Sequence, residues 1–156
     1  MNDIQVKDVM TERVITVSPE DSIHEAADRL ASNSISGMPV VVGRRVVGMV
    51  GESDIIWALA PEKVREAGMT LLDFVIHVRE RHTEPNQRLR VSDVMSGAVV
   101  PISAFASLWK AAAAMHEHGV KRLPVTDNYG QLVGIVSRAD IVRAIALNDS
   151  SIVSQV

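Results

Sequence analysis

The chain has 156 residues, of which 47% are hydrophobic and 3% aromatic, and it carries a formal net charge of −3 and no cysteine. This composition allows a buried core, excludes disulfides and thiolate metal sites, and disfavours nucleic-acid binding, which favours basic and aromatic surfaces. Because the sequence shows neither a signal peptide nor an apolar run of about 18 residues, we expect a cytoplasmic protein without a membrane segment.

The first predicted elements are a short strand and a helix. Residues 14–17 are a β-rich run and predict the strand. Ser22 is a favourable N-cap, and the apolar residues that follow, from Ile23 to Ala31, recur at the spacing of one helix face. Alanines on that face let such a helix pack closely on its neighbour.

A hairpin and a second helix are predicted next. Residues 38–42 and 46–50 are rich in valine, and Gly43 lies between them at the position of a tight turn. The second helix is predicted to begin near Glu52 and to continue through Leu59.

The segment over residues 60–90 is predicted to be a helical insertion. Residues 70–73 resemble a capping box, the stripe from Leu71 to Val78 is apolar on one side, and Pro85 ends the helix. Two interpretations stay open. The helix either only connects its neighbours, or it docks a partner or a second copy.

The same order of elements then recurs. Residues 6–10 (VKDVM) return as residues 91–95 (VSDVM), an offset of 85 that becomes 86 after one extra residue in the hairpin turn. The chain is therefore predicted to contain two tandem β-α-β-β-α repeats, each too small to bury its own sheet face. The predicted boundaries are 6–59 for the first repeat, 60–90 for the insertion, 91–147 for the second repeat and 148–156 for a C-terminal tail.

The repeated segments resemble the cystathionine-β-synthase (CBS) domain family, arranged as a tandem pair. In the first copy the segments that carry the likeness are DVM at 8–10, ITVSP at 15–19, SGMPV at 36–40 and VGMV at 47–50. In the second copy they are KRLPV at 121–125 and LVGIVSRAD at 132–140. The resemblance implies an α/β (α+β) fold in which the two repeats pack as a pseudo-twofold pair.

The resemblance also implies a function. Members of the family bind adenosine-containing ligands such as AMP, ADP, ATP or S-adenosylmethionine in the clefts between the repeats, commonly dimerise, and regulate a partner without doing chemistry. For this chain it implies a non-catalytic regulatory module for energy or cofactor sensing that forms a homodimer and signals to an effector protein in trans. A ligand-free scaffold or dimerisation protein is the alternative.

By resemblance, the ribose of the ligand is held by an aspartate and by a hydroxyl three residues before it. The second copy has both, as Ser137 and Asp140, and a carboxylate can accept hydrogen bonds from both ribose hydroxyls. The first copy keeps Asp54 but has Gly51 in place of the hydroxyl residue. Both aspartates also stand near a helix start, where capping alone would favour them.

The predicted phosphate-binding residues are Lys121, Arg122 and Arg138. The corresponding segment of the first copy, at residues 36–37, has no basic residue. Since the family pairs each aspartate with the opposite copy, the cleft of Asp54 is predicted to take a nucleotide phosphate. The other cleft is predicted to prefer a less negative ligand, or an adenosine group held by its ribose.

The remaining predicted contacts are the cleft walls around the base: Thr16, Val17, Ser36, Gly37, Met38, Pro39, Pro101, Ile102, Leu123 and Pro124. No metal site and no catalytic residue is predicted. The start of a zinc-protease motif at His24 lacks its second histidine, and His116 and His118 point in different directions on a helix.

Overall fold

The computed structural model describes residues 4–60 and 89–153, with the side chains of its last helix described up to residue 147. The predicted helical insertion and its apolar stripe from Leu71 to Val78 lie outside the described residues, as do residues 154–156 of the predicted tail. The described residues combine helices with small sheets, which confirms the predicted α+β class.

The described elements follow the repeat. The first repeat gives α1 (Val6–Val9), α2 (Ile23–Ser32), β1 (Gly37–Val42), β2 (Arg45–Gly51) and α3 (Glu52–Leu59). The second gives α4 (Val91–Val94), β3 (Ile102–Ser103), α5 (Leu108–His118), β4 (Arg122–Thr126), β5 (Leu132–Ser137) and α6 (Arg138–Val153).

The compact units of the chain do not coincide with the sequence repeats. The first unit contains residues 4–14, 41–47 and 98–153, and the second contains residues 15–40, 48–60 and 89–97. Each unit therefore takes its short opening helix from the other repeat, α1 in the first unit and α4 in the second.

The same backbone hydrogen bonds hold both opening helices. In the first unit the N–H of Val6 donates to the carbonyl of Ala106, at 2.9 Å. In the second unit the N–H of Val91 donates to the carbonyl of Asp21, also at 2.9 Å. These residues are related by the 85-residue offset, so the repeat extends to the way in which the segments dock.

The first unit is built on a three-stranded sheet. β3 runs parallel to β4, and β4 pairs antiparallel with β5 from Arg122 opposite Ser137 to Thr126 opposite Leu132. A fully buried aliphatic side chain stabilises a fold by about 1.5–3 kcal/mol. The core of this unit consists of Val6, Ile102, Leu108, Ala111, Met115, Leu123, Val125, Val136, Ile141 and Ala144.

The second unit contains residues 37–40 of β1 and 48–51 of β2, while the turn of this hairpin, at Gly43 with a φ of +63°, belongs to the first unit. Helices α2, α3 and α4 complete it. Its buried apolar residues are Val17, Ile23, Ala26, Leu30, Met38, Val40, Val50, Ile55, Ala60 and Val91.

Several predicted local features are confirmed. The Ser22 hydroxyl accepts a hydrogen bond from the N–H of Glu25 at 3.1 Å. Ser107, its counterpart at the 85-residue offset, accepts one from the N–H of Lys110 at the same distance. The hairpin turn at Gly43 is confirmed as well, and so is the helix over residues 52–59.

The predicted strand over residues 14–17 is wrong except at Val17, which makes one parallel bridge to Val40. In this segment the carbonyl of Thr16 does not pair with a neighbouring strand but accepts a hydrogen bond from the Arg29 guanidinium at 2.9 Å. The two opening helices are absent from the sequence prediction, since four residues are too few to show helical periodicity.

Candidate functional site

Ser137 and Asp140 form a compact hydrogen-bonded pair where β5 ends and α6 begins. The Asp140 side chain is only 8% exposed. Its Oδ2 accepts the backbone N–H of Ser137 at 2.8 Å and the Ser137 hydroxyl at 3.0 Å. The carboxylate therefore caps the first turn of α6, where the helix dipole also favours a negative charge.

The second oxygen of Asp140 is also engaged. Arg143, one turn further along α6, donates from Nη2 to Asp140 Oδ1 and forms an ion pair with it. A carboxylate can accept about four hydrogen bonds, two at each oxygen. Ser137 fills Oδ2, so Oδ1 is the atom at which a ligand hydroxyl can bind.

The predicted phosphate residues lie next to this pair in the same unit. Arg122 is opposite Ser137 in the sheet. The N–H of Arg138 donates to the carbonyl of Lys121 at 2.9 Å, which ties the start of α6 to the start of β4. One end of the sheet thus carries a buried carboxylate, a hydroxyl and three basic residues. This set suits a phosphorylated ligand with free hydroxyls, whereas the sequence predicts a less negative ligand for the cleft of Asp140.

Asp54 of the first repeat has a simpler environment. It is half-buried, and its Oδ2 accepts the N–H of Gly51 at 2.8 Å. The N–H of Glu52 donates to the carbonyl of Ser36 at 3.0 Å, which matches the bond between Arg138 and Lys121 in the second repeat. The backbone of the two sites is therefore the same, while the hydroxyl donor is missing here.

The sequence predicts that each aspartate shares a cleft with the opposite copy, Asp54 with Lys121 and Arg122, and Asp140 with residues 36–37. These residues belong to different units, and this pairing stays a prediction. Within each unit, the structure brings together the residues of one repeat: Ser137 and Asp140 with Lys121, Arg122 and Arg138, and Asp54 with Ser36.

Most of the predicted cleft walls belong to the core. Buried among them are Val17, Gly37, Met38, Pro39, Ile102, Leu123 and Pro124. Since these side chains are covered by the protein itself, they can offer a ligand little beyond their backbone groups. Thr16 is half-buried, whereas Ser36 and Pro101 are exposed.

The first unit contains a cavity of about 260 Å³ near the turns of the two hairpins. Its lining residues are Arg45, Val46, Val99, Pro101, Thr126 and Gly130. Of the predicted site residues, Pro101 alone lines it. The cavity lies beside the Thr126 end of β4, whereas the Asp140 carboxylate lies beside the Arg122 end, so the two are separate features of the unit.

Two polar features of the repeats are missing from the sequence prediction. One is Arg143, whose signal is its position three residues after Asp140 on a helix. The other is an ion pair in the second unit between Asp21 and Arg29, with 3.0 Å between Oδ2 and Nη1. Asp21 comes directly before the helix cap Ser22, and the Arg29 side chain, two turns into α2, contacts it.

The environment of Asp21 favours its charged form. The N–H of Ser18 donates to Asp21 Oδ2 at 2.9 Å, and the Arg29 guanidinium lies beside it. These contacts, the N–H of Ser18 first, hold the pKa of Asp21 below its usual value, although partial burial opposes them. The second repeat has Ala106 and Ala114 at the two corresponding positions and so lacks the pair.

Residues 4–60 and 89–153 contain no group of three or more His, Asp or Glu side chains that could hold a metal ion. Within the same ranges, no helix is long and apolar enough to cross a membrane.

Comparison with known proteins finds one family. The sequence profile of the CBS domain matches residues 6–61 and again residues 91–147. Among curated relatives, the CBS domain-containing protein YhcV of Bacillus subtilis is 33% identical over 146 residues, which covers 94% of this chain and 89% of YhcV.

A second kind of relative is much longer. The inosine-5'-monophosphate dehydrogenase of Korarchaeum cryptofilum is 30% identical over 128 residues, which covers 82% of this chain but only 21% of the dehydrogenase. The chain therefore spans about a fifth of that enzyme.

A solved structure shows the same fold with a ligand. The complex of Arabidopsis thaliana CBSX2 with AMP superposes with a TM-score of 0.71 at 26% sequence identity, covering 93% of this chain and 98% of CBSX2.

Proposed function

This chain belongs to the CBS domain family, and we propose that it is a non-catalytic regulatory module that binds an adenosine-containing ligand through Asp140 and Ser137. AMP, ADP, ATP and S-adenosylmethionine are the ligands to be distinguished. The binding would shift the packing of the module, and a partner protein would respond to that shift.

The observation that carries the proposal is the arrangement at the start of α6. Asp140 is buried and prearranged by Ser137, and its Oδ1 accepts a bond from the exposed Arg143 that a ligand hydroxyl can share or replace. Arg122, opposite Ser137 in the sheet, adds a charge suited to phosphate. A solved relative that holds AMP supports the adenosine class.

The other parts of the proposal concern the setting. We infer that the chain acts in the cytoplasm, forms a homodimer and regulates an effector in trans. This inference rests on the two CBS domains at residues 6–61 and 91–147, since such domains regulate other proteins.

The alternative function is a ligand-free scaffold or dimerisation protein. Exposed apolar side chains on α5 and α6 favour it, among them Trp109 at 61% and Leu147 at 72% exposed. Such side chains suit protein contact, and a scaffold would need no occupant at Asp140.

Thermal unfolding in the presence of AMP, ADP, ATP, NADH and S-adenosylmethionine separates the two functions. A ligand at 100 times its dissociation constant adds about 2.7 kcal/mol to the free energy of unfolding. We expect such a stabilisation for at least one adenosine ligand in the wild-type chain, and a smaller one in Asp140→Ala. Unchanged melting with every ligand would favour the scaffold.

A further inference from the structure

Arg143 is a charged side chain to which the proposed function gives no task. It is 72% exposed, yet it donates to the buried Asp140 at Oδ1, the oxygen that Ser137 leaves open. A ribose hydroxyl that binds Asp140 therefore has to share or replace the contact with Arg143.

Building on the proposed function, we propose that Arg143 selects phosphorylated adenosine ligands over neutral ones at Asp140. A neutral ligand that displaces Arg143 exchanges a charge-assisted hydrogen bond for a weaker one between a neutral hydroxyl and a carboxylate. A ligand with a phosphate on the same ribose gives the released guanidinium a new anion, which can accept two parallel N–H bonds.

The cost of moving Arg143 is small because most of its side chain is in solvent. Ion pairs between exposed side chains are weak, and the buried carboxylate makes this one stronger. The guanidinium can therefore leave Asp140 when an anion is offered, and it returns when the ligand dissociates. Selectivity arises from the contact between the released guanidinium and the phosphate of the ligand, and it requires no change in the backbone.

The first repeat provides an internal comparison. Trp57 occupies the position of Arg143, three residues after Asp54, and is 41% exposed. Among the described residues, Asp54 accepts a hydrogen bond from Gly51 and has no basic partner. Selection for phosphate by this route is therefore a property of the second repeat alone.

Calorimetric titration of AMP and adenosine into the full chain tests the assignment. The relevant site is the one whose affinity Asp140→Ala weakens. In Arg143→Ala we expect weaker AMP binding and unchanged or tighter adenosine binding, so that the preference for AMP falls by about tenfold. Arg44→Ala, which removes an exposed arginine in the turn of the first hairpin, controls for net charge and should leave the preference unchanged.

Three results would overturn the assignment. Unchanged affinity for both ligands in Arg143→Ala would show that Arg143 selects nothing, and an equal loss of affinity for both would show that it only positions Asp140. If Arg143→Ala lowers the melting temperature, Arg143→Gln repeats the test with a side chain of similar length. If the wild type binds neither ligand, the proposed function fails and this assignment fails with it.

Discussion

Met10 lies directly over Gly134, so that a Cβ added to the glycine would stand 2.6 Å from the methionine Sδ. The second unit repeats this relationship between Met95 and Gly48, where the Cβ would meet Sδ at 2.7 Å and the carbonyl of Ser96 at 2.8 Å. In both units, a methionine from an opening segment packs on a glycine in the last strand of the hairpin. The glycine is what allows this close approach.

We predict that Gly134→Ala and Gly48→Ala each lower the free energy of unfolding by about 1–3 kcal/mol, because the added methyl group overpacks the contact. Gly48→Ala is expected to be the more costly, since its Cβ would lie 2.8 Å from the backbone carbonyl of Ser96, whereas the Cβ at Gly134 would lie 3.1 Å from the carbonyl of Thr11. Gly97→Ala is the matched control, with nothing within 4 Å of its Cβ. Denaturant unfolding measures all three, and a loss in Gly97→Ala as large as in the others would contradict the packing explanation.

The hydroxyl of Ser137 is expected to stabilise the start of α6. Ser137→Ala removes the bond that the hydroxyl donates to Asp140 Oδ2 and the one it accepts from the N–H of Asp140. The bond from the N–H of Ser137 to the carboxylate remains, which predicts a loss of about 1 kcal/mol in the free energy of unfolding. Ser53→Ala, an exposed serine in α3, should change stability by only a few tenths of a kcal/mol. Equal effects of the two substitutions would show that the hydroxyl adds nothing.

The reverse change in the first repeat is more constrained. Gly51→Ser supplies the missing hydroxyl beside Asp54, but its Cβ would lie 3.1 Å from the carbonyl of Ser36. We expect no gain in stability from this variant, because the strand segment must move by a few tenths of an ångström to admit it. A stabilisation of about 1 kcal/mol, the usual net value of a hydrogen bond, would show that the backbone yields freely.

The ion pair of Asp21 predicts a dependence of stability on pH. The folded pKa of Asp21 is lowered, so its contribution is present above the unfolded value of about 3.9 and is lost as the pH falls through the folded pKa. Asp21→Asn should therefore be less stable than the wild type at pH 5 to 7 by about 1 kcal/mol, with the difference closing below about pH 4.

Asp28→Asn provides the matched control for this prediction, because it makes the same change of charge on an exposed residue of α2. Its difference from the wild type should stay small throughout. Urea unfolding at several pH values measures both variants. A difference for Asp21→Asn that persists unchanged at pH 2.5 would contradict the assigned cause.

Much of the local structure follows from residues whose preferences agree with their environment. Serine is a good N-cap at the start of any helix, and Ser22 and Ser107 both cap one here. Gly43 adopts the positive φ that its turn requires. These features need only neighbouring residues, so a local pattern is sufficient to predict them.

Which segments of the chain make up each unit does not follow from local patterns. That Met10 packs on Gly134 depends on residues more than 100 positions apart, and nothing in the local pattern of either residue specifies the partner. The repeat predicts two equivalent units that need each other to bury their sheets, but it does not predict that they exchange their opening segments. The exchange of opening segments is a tertiary property that only the folded chain shows.

The candidate site shows the same division. Asp140 and Ser137 are predicted from their spacing, whereas the bond of Arg143 to Asp140 requires the geometry of the helix. The predicted walls at Met38 and Leu123 are buried because apolar residues of a central strand serve the core first. A family motif identifies which residues lie in a site, and packing decides which of their atoms a ligand can contact.

The most direct test of the central claim is a calorimetric titration of AMP into the wild type, Asp140→Ala and Ser107→Ala. Ser107→Ala removes a helix cap in the same unit without touching Asp140, so it controls for lost stability. We predict that AMP binds the wild type and Ser107→Ala alike, and that Asp140→Ala, still folded by circular dichroism, binds at least about tenfold more weakly. Equal AMP binding by the wild type and Asp140→Ala, or none by the wild type, would contradict the claim.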